Sequence, residues 1–196
     1  MANSIKIGNS AMDSIYIGAT QADAVYIGTN KVYEKTQPTP TYPIIQFADQ
    51  EVEAICVDNW DLNGDGYLDT NEAAQVTALD DVFDSNTDIT SFRELRYFTG
   101  LSEIGWSEFD SCENLQTIDI PANVTGIGSS RYNTFGGCTS LESVYMWPTT
   151  PPTIMADEFE DSLNLWIYVP TGCLSAYQNA TNWNHYNLRE WNPPTI

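Results

Sequence analysis

A long-period repeat in the second half of the chain constrains the fold more than any other sequence feature. Phe109, Phe135 and Phe159 are spaced 26 and then 24 residues apart. Each is followed by an alternating apolar segment that begins with leucine, at 115–120, 141–146 and 165–169. Repeats of this length with one short alternating segment each predict a solenoid, in which stacked strands bury a continuous core.

A second, shorter repeat occupies the N-terminus. Residues 4–8, 14–18 and 24–28 each place a triplet before a glycine, in which a β-branched residue and an isoleucine flank one variable residue, with a period of 10. This pattern predicts very short strands joined by turns. Because three such strands bury little surface, we expect residues 1–36 to form an assembly or anchoring module, in an oligomer for which a trimer is the guess by analogy. The alternative is a simple β meander.

A proline-rich linker at 37–43 follows, and the charge changes there. Residues 1–43 are neutral, so the chain's net charge of −20, from 7 Lys and Arg against 27 Asp and Glu, lies beyond them. Such an acidic chain lacks the basic face that nucleic acid or an anionic membrane requires. No nucleic-acid partner and no membrane insertion are therefore expected.

An acidic loop at 61–72 has the spacing of an EF-hand calcium site. Oxygen ligands at positions 1, 3, 5, 7, 9 and 12 and a glycine at position 6 are what such a loop requires. The predicted Ca²⁺ ligands are Asp61, Asn63, Asp65, Tyr67 (through its carbonyl), Asp69 and Glu72. The alternative is an Asp- and Asn-rich turn that holds no ion.

Helical spacing flanks this loop. Apolar residues three and four positions apart occur before it, at Val52 and Cys56, and after it, from Ala73 through Leu79 to Phe83. The sequence therefore predicts an α+β chain with four parts. These are the N-terminal β module (1–36), the linker (37–43), an EF-hand-like helix–loop–helix (44–88), and a β-rich leucine-rich-repeat solenoid with a C-terminal cap (89–196).

Several of these segments resemble BspA-type leucine-rich-repeat proteins, which are found in Bacteroides-group bacteria and their phages. Residues 54–66 and 89–101 resemble the stretch that precedes the solenoid in that family. Ile127-Gly128 and the run Phe135-x-x-Cys138-x-Ser140-Leu141 resemble the repeat itself. The resemblance covers about 44–190 and implies a non-enzymatic surface-recognition module that binds proteins or host surfaces.

The N-terminal module resembles pieces of phage structural proteins, and no export signal is recognisable. Together these features favour a virion component, either a fibre, spike or decoration protein. Such a protein would be made in the host cytoplasm, attach to the particle through residues 1–36, and bind a host-surface protein or glycan. The alternative is a bacterial cell-surface adhesin or protein-binding module.

The outward positions of the repeat strands predict the recognition surface, since side chains alternate along a strand. The candidates are Asp119, Tyr145, Trp147, Trp166 and Tyr168. Alternatively, these rings pack against a neighbouring loop or subunit.

No catalytic residue is predicted, because the single histidine, His185, has no recognisable partner set. Cys112 and Cys138 occupy the same slot in consecutive repeats, which favours reduced interior residues over a disulfide.

Overall fold

A computed structural model describes residues 16–17, 20–21, 24–27, 30–34, 41–128 and 133–194. The chain divides into two compact units, Met1–Thr39 and Pro40–Ile196. The helices are α1 (Gln50–Trp60), α2 (Thr70–Ala73) and α3 (Leu174–Asn179), with a 3-10 helix at Arg93–Tyr97. The strands are β1 (Tyr16–Ile17), β2 (Thr20–Gln21), β3 (Ala24–Ile27), β4 (Asn30–Glu34), β5 (Ser91–Phe92), β6 (Glu103–Ile104), β7 (Thr117–Ile120), β8 (Gly126–Ile127), β9 (Ser143–Met146), β10 (Trp166–Pro170) and β11 (Leu188–Trp191).

The described residues of the N-terminal unit form two antiparallel strand pairs. Strand β1 pairs with β2, and β3 pairs with β4 through a register shift between Val25 and Tyr26. The first of the three predicted ten-residue repeats lies outside the described residues. The anchoring and trimer predictions for this unit remain predictions.

The second unit is a solenoid built on parallel strands. Its main sheet has five strands in the order β11-β10-β9-β7-β5, and each neighbouring pair is parallel. A second parallel pair, β6 with β8, is extended by a bridge from Gly126 to Thr153. Mixed helices and strands with a parallel repeat sheet confirm the predicted α+β class and the repeat architecture.

A column of stacked phenylalanines runs through the core of the solenoid. The ring centroids of Phe83, Phe109, Phe135 and Phe159 are 5.3, 5.4 and 5.0 Å apart in succession, and every ring is buried. Phe83 lies 26 residues before Phe109, so the repeats begin one turn earlier than predicted.

The helix predicted beyond the acidic loop is mostly absent, which corrects the proposed helix–loop–helix. Helix α2 ends at Ala73, and the chain then turns at Asp80 and Asp81, whose φ angles are 56° and 59°. This turn brings Leu79 and Phe83 into the core without a helix. The acidic loop region and the repeats share one hydrophobic core.

Two buried cysteines join successive repeats. The Cys112 thiol donates to the carbonyl of Phe83, and the Cys138 thiol donates to that of Phe109, both at 3.1 Å. Both thiols are free and fully buried, which confirms the predicted interior slot, and burial raises the pKa of Cys112 to about 12. In the next repeat the Ser162 hydroxyl takes this position and donates to the carbonyl of Cys138.

Asp49 ties the first helix to the start of the solenoid. As the N-cap of α1, its carboxylate accepts hydrogen bonds from the N–H groups of Glu51 and Val52. Its second oxygen accepts from the N–H and hydroxyl of Thr90, both at 2.7 Å, and from the N–H of Ser91. One carboxylate therefore hydrogen-bonds both to the first turn of α1 and to the start of the first repeat strand.

The C-terminal residues cover the last repeat. The Trp183 indole donates to the carbonyl of Pro152 at 2.7 Å, and the Tyr177 hydroxyl donates to that of Pro148 at 2.8 Å. Both side chains are fully buried. None of the helices in the described ranges has the length and apolar character that crossing a membrane would require.

Candidate functional site

The parallel register places side chains from successive repeats next to one another on the outer face of the main sheet. Asp119 lies opposite Tyr145, and Tyr145 lies opposite Tyr168. Arg189 of β11 continues this row, and Trp166 lies two positions before Tyr168 on the same face. The sheet therefore does bring the predicted recognition residues together.

The aromatic side chains of this face contact each other. The rings of Tyr145 and Tyr168 are stacked, with centroids 4.6 Å apart and planes 11° apart. Trp191 meets Tyr145 and Trp147 edge-on, at centroid distances of 4.9 and 5.4 Å. Trp191 therefore belongs to this aromatic face.

Two arginines lie on the aromatic rings. The guanidinium carbon of Arg93 is 3.8 Å from the centroid of Tyr145, and that of Arg189 is 3.7 Å from a ring of Trp166. Such cation–π contacts hold a guanidinium flat on the sheet. Neither arginine was predicted. Two features of the sequence could have identified them. Arginine is rare in this acidic chain, and both residues lie in or directly after a repeat strand.

Asp119 is fully buried, which corrects its prediction as a surface recognition residue. Arg93 donates from Nε to Oδ1 of Asp119 at 2.7 Å, and Nη1 of Arg96 lies 3.5 Å from Oδ2. Trp147 donates from its indole nitrogen to the same Oδ2 at 2.8 Å. Strand β7, which carries Asp119, lies between β5 and β9. Arg93 follows β5 and Trp147 follows β9, so the two side chains close over the Asp119 carboxylate from both sides.

The structure also corrects the prediction that Trp147 belongs to the exposed recognition surface, since this residue is only 9% exposed. It packs against Trp191 and bonds to Asp119, as the alternative interpretation of these rings anticipates. Tyr145, Trp166 and Tyr168 are half-buried and keep part of each ring accessible. The accessible surface is thus narrower than predicted, and Asp119 and Trp147 support it from beneath.

A cavity of about 280 Å³ opens beside this face. It is lined by Ala48, Ser91, Arg93, Glu94, Arg96, Asp119, Trp147 and Pro194. A larger cavity of about 540 Å³ lies between residues 43–46 and 96–99, and its lining has no carboxylate. The smaller cavity is therefore the one whose lining combines the buried carboxyl groups of Glu94 and Asp119 with partly exposed arginines.

The acidic loop is held by its own side chains. Asp61 accepts from the N–H groups of Gly64 and Gly66, both at 2.8 Å, through different carboxylate oxygens. Gly64 and Gly66 have φ angles of 70° and 84°, a left-handed conformation that favours glycine. Glu72 accepts from Leu62 at 3.0 Å, which joins the end of the loop to its start.

The calcium prediction concerns the six oxygen ligands of this loop. Their chemistry suits calcium, which prefers carboxylate, amide and carbonyl oxygens. Within the described ranges, however, no three or more His, Cys, Asp or Glu side chains are grouped so that they could hold a metal ion. The carboxylates of Asp61, Asp65, Asp69 and Glu72 instead accept backbone hydrogen bonds. Calcium binding remains a prediction.

A short segment upstream pairs with the loop. The N–H of Ile45 donates to the carbonyl of Leu68 at 2.9 Å, and that of Thr70 donates to the carbonyl of Pro43 at 3.0 Å. A second EF-hand loop is absent among the described residues, and the extended segment at 43–45 pairs with the acidic loop instead.

The family model for the BspA type leucine-rich repeat region matches residues 80–188, in six copies. The matched range covers more than half of the chain and starts three residues before Phe83, the first ring of the stacked column. A search of curated proteins found no match to the chain. On the repeat match and the solenoid that it describes, the chain belongs to the BspA-type leucine-rich-repeat family.

Proposed function

We propose that this protein is a non-enzymatic binding module, of the protein-binding or adhesin type, which contacts its partner through the outer face of the main sheet. The repeat family supports this class of function. The observation that carries the proposal is the row of accessible rings at Tyr145, Tyr168 and Trp166, flanked by Arg93 and Arg189. Aromatic residues and arginine are the side chains most enriched at binding hot spots.

The test is binding of fluorescently labelled full-length protein to intact Bacteroides-group cells, measured by flow cytometry. We expect Tyr168→Ala combined with Trp166→Ala to lower binding at least tenfold, about the loss expected for hot-spot residues. Tyr42→Ala is the matched control, since Tyr42 is an exposed aromatic residue outside the strands of the main sheet. Equal binding by the double variant and the parent, with both folded, would remove the sheet face as the binding surface.

A narrower form of the proposal assigns the protein to a phage virion, as a fibre, spike or decoration protein anchored by residues 1–36. Its support is the N-terminal ten-residue repeat and its likeness to phage structural proteins. The virion form predicts co-sedimentation with purified particles. The alternative, a bacterial surface adhesin, predicts that protease added to whole cells digests the protein.

We also propose that the loop at 61–72 binds calcium as a structural ion. The support is the spacing of six oxygen ligands around Gly66 and the mutual repulsion of the loop's carboxylates when no cation is present. The melting temperature should rise on adding calcium and fall with a chelator. Glu72→Gln should abolish this response, whereas Glu142→Gln, an exposed change in a later repeat, should retain it. A melting temperature independent of calcium would refute this proposal without affecting the binding face.

A further inference from the structure

The cationic side chains of the second unit are concentrated at the outer face of the main sheet. This unit has no lysine in its sequence, and the arginines that the structure describes in it are Arg93, Arg96 and Arg189. Arg93 and Arg189 lie on rings of the face, and Arg96 lies beside the buried Asp119 carboxylate. The face therefore has the opposite charge character to the chain, whose net charge is −20.

Arg189 is the most informative of these arginines. It is exposed on β11, and its side chain has no ion-pair or hydrogen-bond partner among the described residues. The neighbouring acid, Glu190, points to the opposite side of the strand and accepts a hydrogen bond from the N–H of Gly172 at 2.9 Å. The ring of Trp166 supports the guanidinium from one side. Its five N–H donors are consequently available to a ligand.

Arg93 is only partly paired within the protein. Its Nε donates to Asp119, whereas its two Nη groups have no hydrogen bond to a described residue, and the side chain is 35% exposed. The Asp119 carboxylate and the Tyr145 ring together hold this guanidinium in place. A guanidinium presents its N–H groups as a planar fork, which matches the two oxygens of a carboxylate.

The spacing of the two guanidinium groups suits an extended ligand. Their supporting rings, Tyr145 and Trp166, lie on neighbouring strands and are offset by two residues, which places their Cα atoms ~8 Å apart. Side chains at alternate positions of an extended peptide point to the same side and are ~7 Å apart. The ring of Tyr168, stacked on Tyr145, adds apolar surface beside this pair. Two acidic residues separated by one residue therefore match the arginines.

We propose that the face binds an extended protein segment in which two acidic residues occupy alternate positions. One carboxylate would accept hydrogen bonds from Arg189 and the other from the Nη groups of Arg93. The acidic chain repels such a segment at long range, but the Debye length of about 8 Å at physiological ionic strength screens its distant carboxylates. The inference rests on the proposed function and specifies the chemistry of the partner.

Fluorescence anisotropy with the full chain at physiological ionic strength tests the inference. The probe is a fluorescein-labelled peptide, Gly-Ser-Glu-Leu-Glu-Ser-Gly, and we expect a dissociation constant on the order of 0.1 mM. The same peptide with glutamine in place of both glutamates should bind at least about tenfold more weakly.

Arg189→Gln should also weaken binding about tenfold, because it removes the charged hydrogen bonds of one site. Arg189→Lys should recover only part of this loss, since lysine keeps the charge but lacks the planar fork. Lys31→Gln, which removes the same charge from the N-terminal unit, is the matched control and should bind as the parent does. Unchanged thermal unfolding of Arg189→Gln would assign its loss to the contact.

The outcomes separate this inference from the proposed function. No binding of the glutamate peptide by the parent chain, or equal binding by Arg189→Gln, would overturn the acidic segment. Displacement of the peptide by an equal concentration of inorganic phosphate would also overturn it, because the site would then not select carboxylates of a peptide. Binding of polygalacturonate in place of the peptide would instead assign the face to an acidic glycan. If cell binding still requires Trp166 and Tyr168 in any of these cases, the proposed function stands.

Discussion

Glu108, Thr134 and Glu158 occupy the same position in three successive repeats, directly before the stacked phenylalanines. Glu108 accepts a hydrogen bond from the N–H of Asp81, and Glu158 accepts one from the N–H of Thr134 at 2.6 Å. Burial raises the pKa of each glutamate from 4.5 to about 7, and the neighbouring Asp80, Asp81 and Asp157 carboxylates act in the same direction. Ionised glutamate at this position therefore opposes folding.

The pH dependence of stability follows from these two residues. Because the folded pKa lies above the unfolded one, their contribution is complete below pH 4.5 and is lost as the pH rises through about 7. We expect the melting temperature to fall between about pH 5 and pH 8, with a loss on the order of 2–3 kcal/mol for each carboxyl. Calorimetry at several pH values and constant calcium measures this.

Glu108→Gln combined with Glu158→Gln should flatten that dependence, while Glu142→Gln, an exposed change, should leave it intact. A double variant whose melting temperature varies with pH as steeply as the parent's would show that other groups control it.

Among the structural elements, α1 is hydrogen-bonded to the start of the solenoid through the side chain of Asp49. Burial alone would raise the pKa of Asp49, but hydrogen bonds from Thr90, Val52 and Glu51 outweigh it and hold the pKa below its usual value. The stability this provides is present near neutral pH and is lost on acidification. The same carboxylate therefore caps α1 and anchors the solenoid's first strand.

We predict that Asp49→Ala lowers the free energy of unfolding by about 2–4 kcal/mol, because it removes a helix cap and charged hydrogen bonds between two elements. Urea denaturation measures the change. Glu51→Ala, an exposed change in the first turn of the same helix, should cost less than about 0.5 kcal/mol. Similar losses for the two variants would contradict the anchoring role.

The stacked phenylalanines make the repeats depend on one another. Phe135 contacts a ring on each side, so Phe135→Ala should lower the free energy of unfolding by about 3–5 kcal/mol. Chemical denaturation with far-UV circular dichroism measures this, with Tyr42→Ala as the exposed aromatic control. A cost below about 1 kcal/mol would mean that the column is not a principal part of the core.

The sequence predicts the repeat strands well, because a period of 24–26 residues with alternating apolar positions has few structural solutions. The sequence is less informative around Leu79 and Phe83. A helix would place apolar residues at this spacing, and so does the turn that leads into the first repeat. The sequence also assigns Asp119 to the correct face without revealing that Arg93 and Trp147 cover it. Alternation identifies a strand's faces, whereas burial depends on contacts from distant parts of the chain.

At the scale of the whole molecule, the unit Pro40–Ile196 has its own continuous core, which extends from Ile45 to Trp183. A chain that begins at Pro40 should therefore unfold in one transition within about 2–4 °C of the full-length protein's corresponding transition. Light scattering on both chains tests the assembly role at the same time. An unchanged number of subunits after removal of 1–39 would exclude assembly through the N-terminus, and a lost transition would contradict independent folding.

Hydrogen bonds accepted by the Asp49 carboxylate hold one end of the solenoid, and Trp183 covers the last repeat at the other end. Between these ends, each repeat contributes one strand to the sheet. Copying a single internal repeat would lengthen the sheet by about 4.8 Å while leaving both ends intact. Duplication of a repeat within the gene could therefore change the length of the solenoid in steps of one strand.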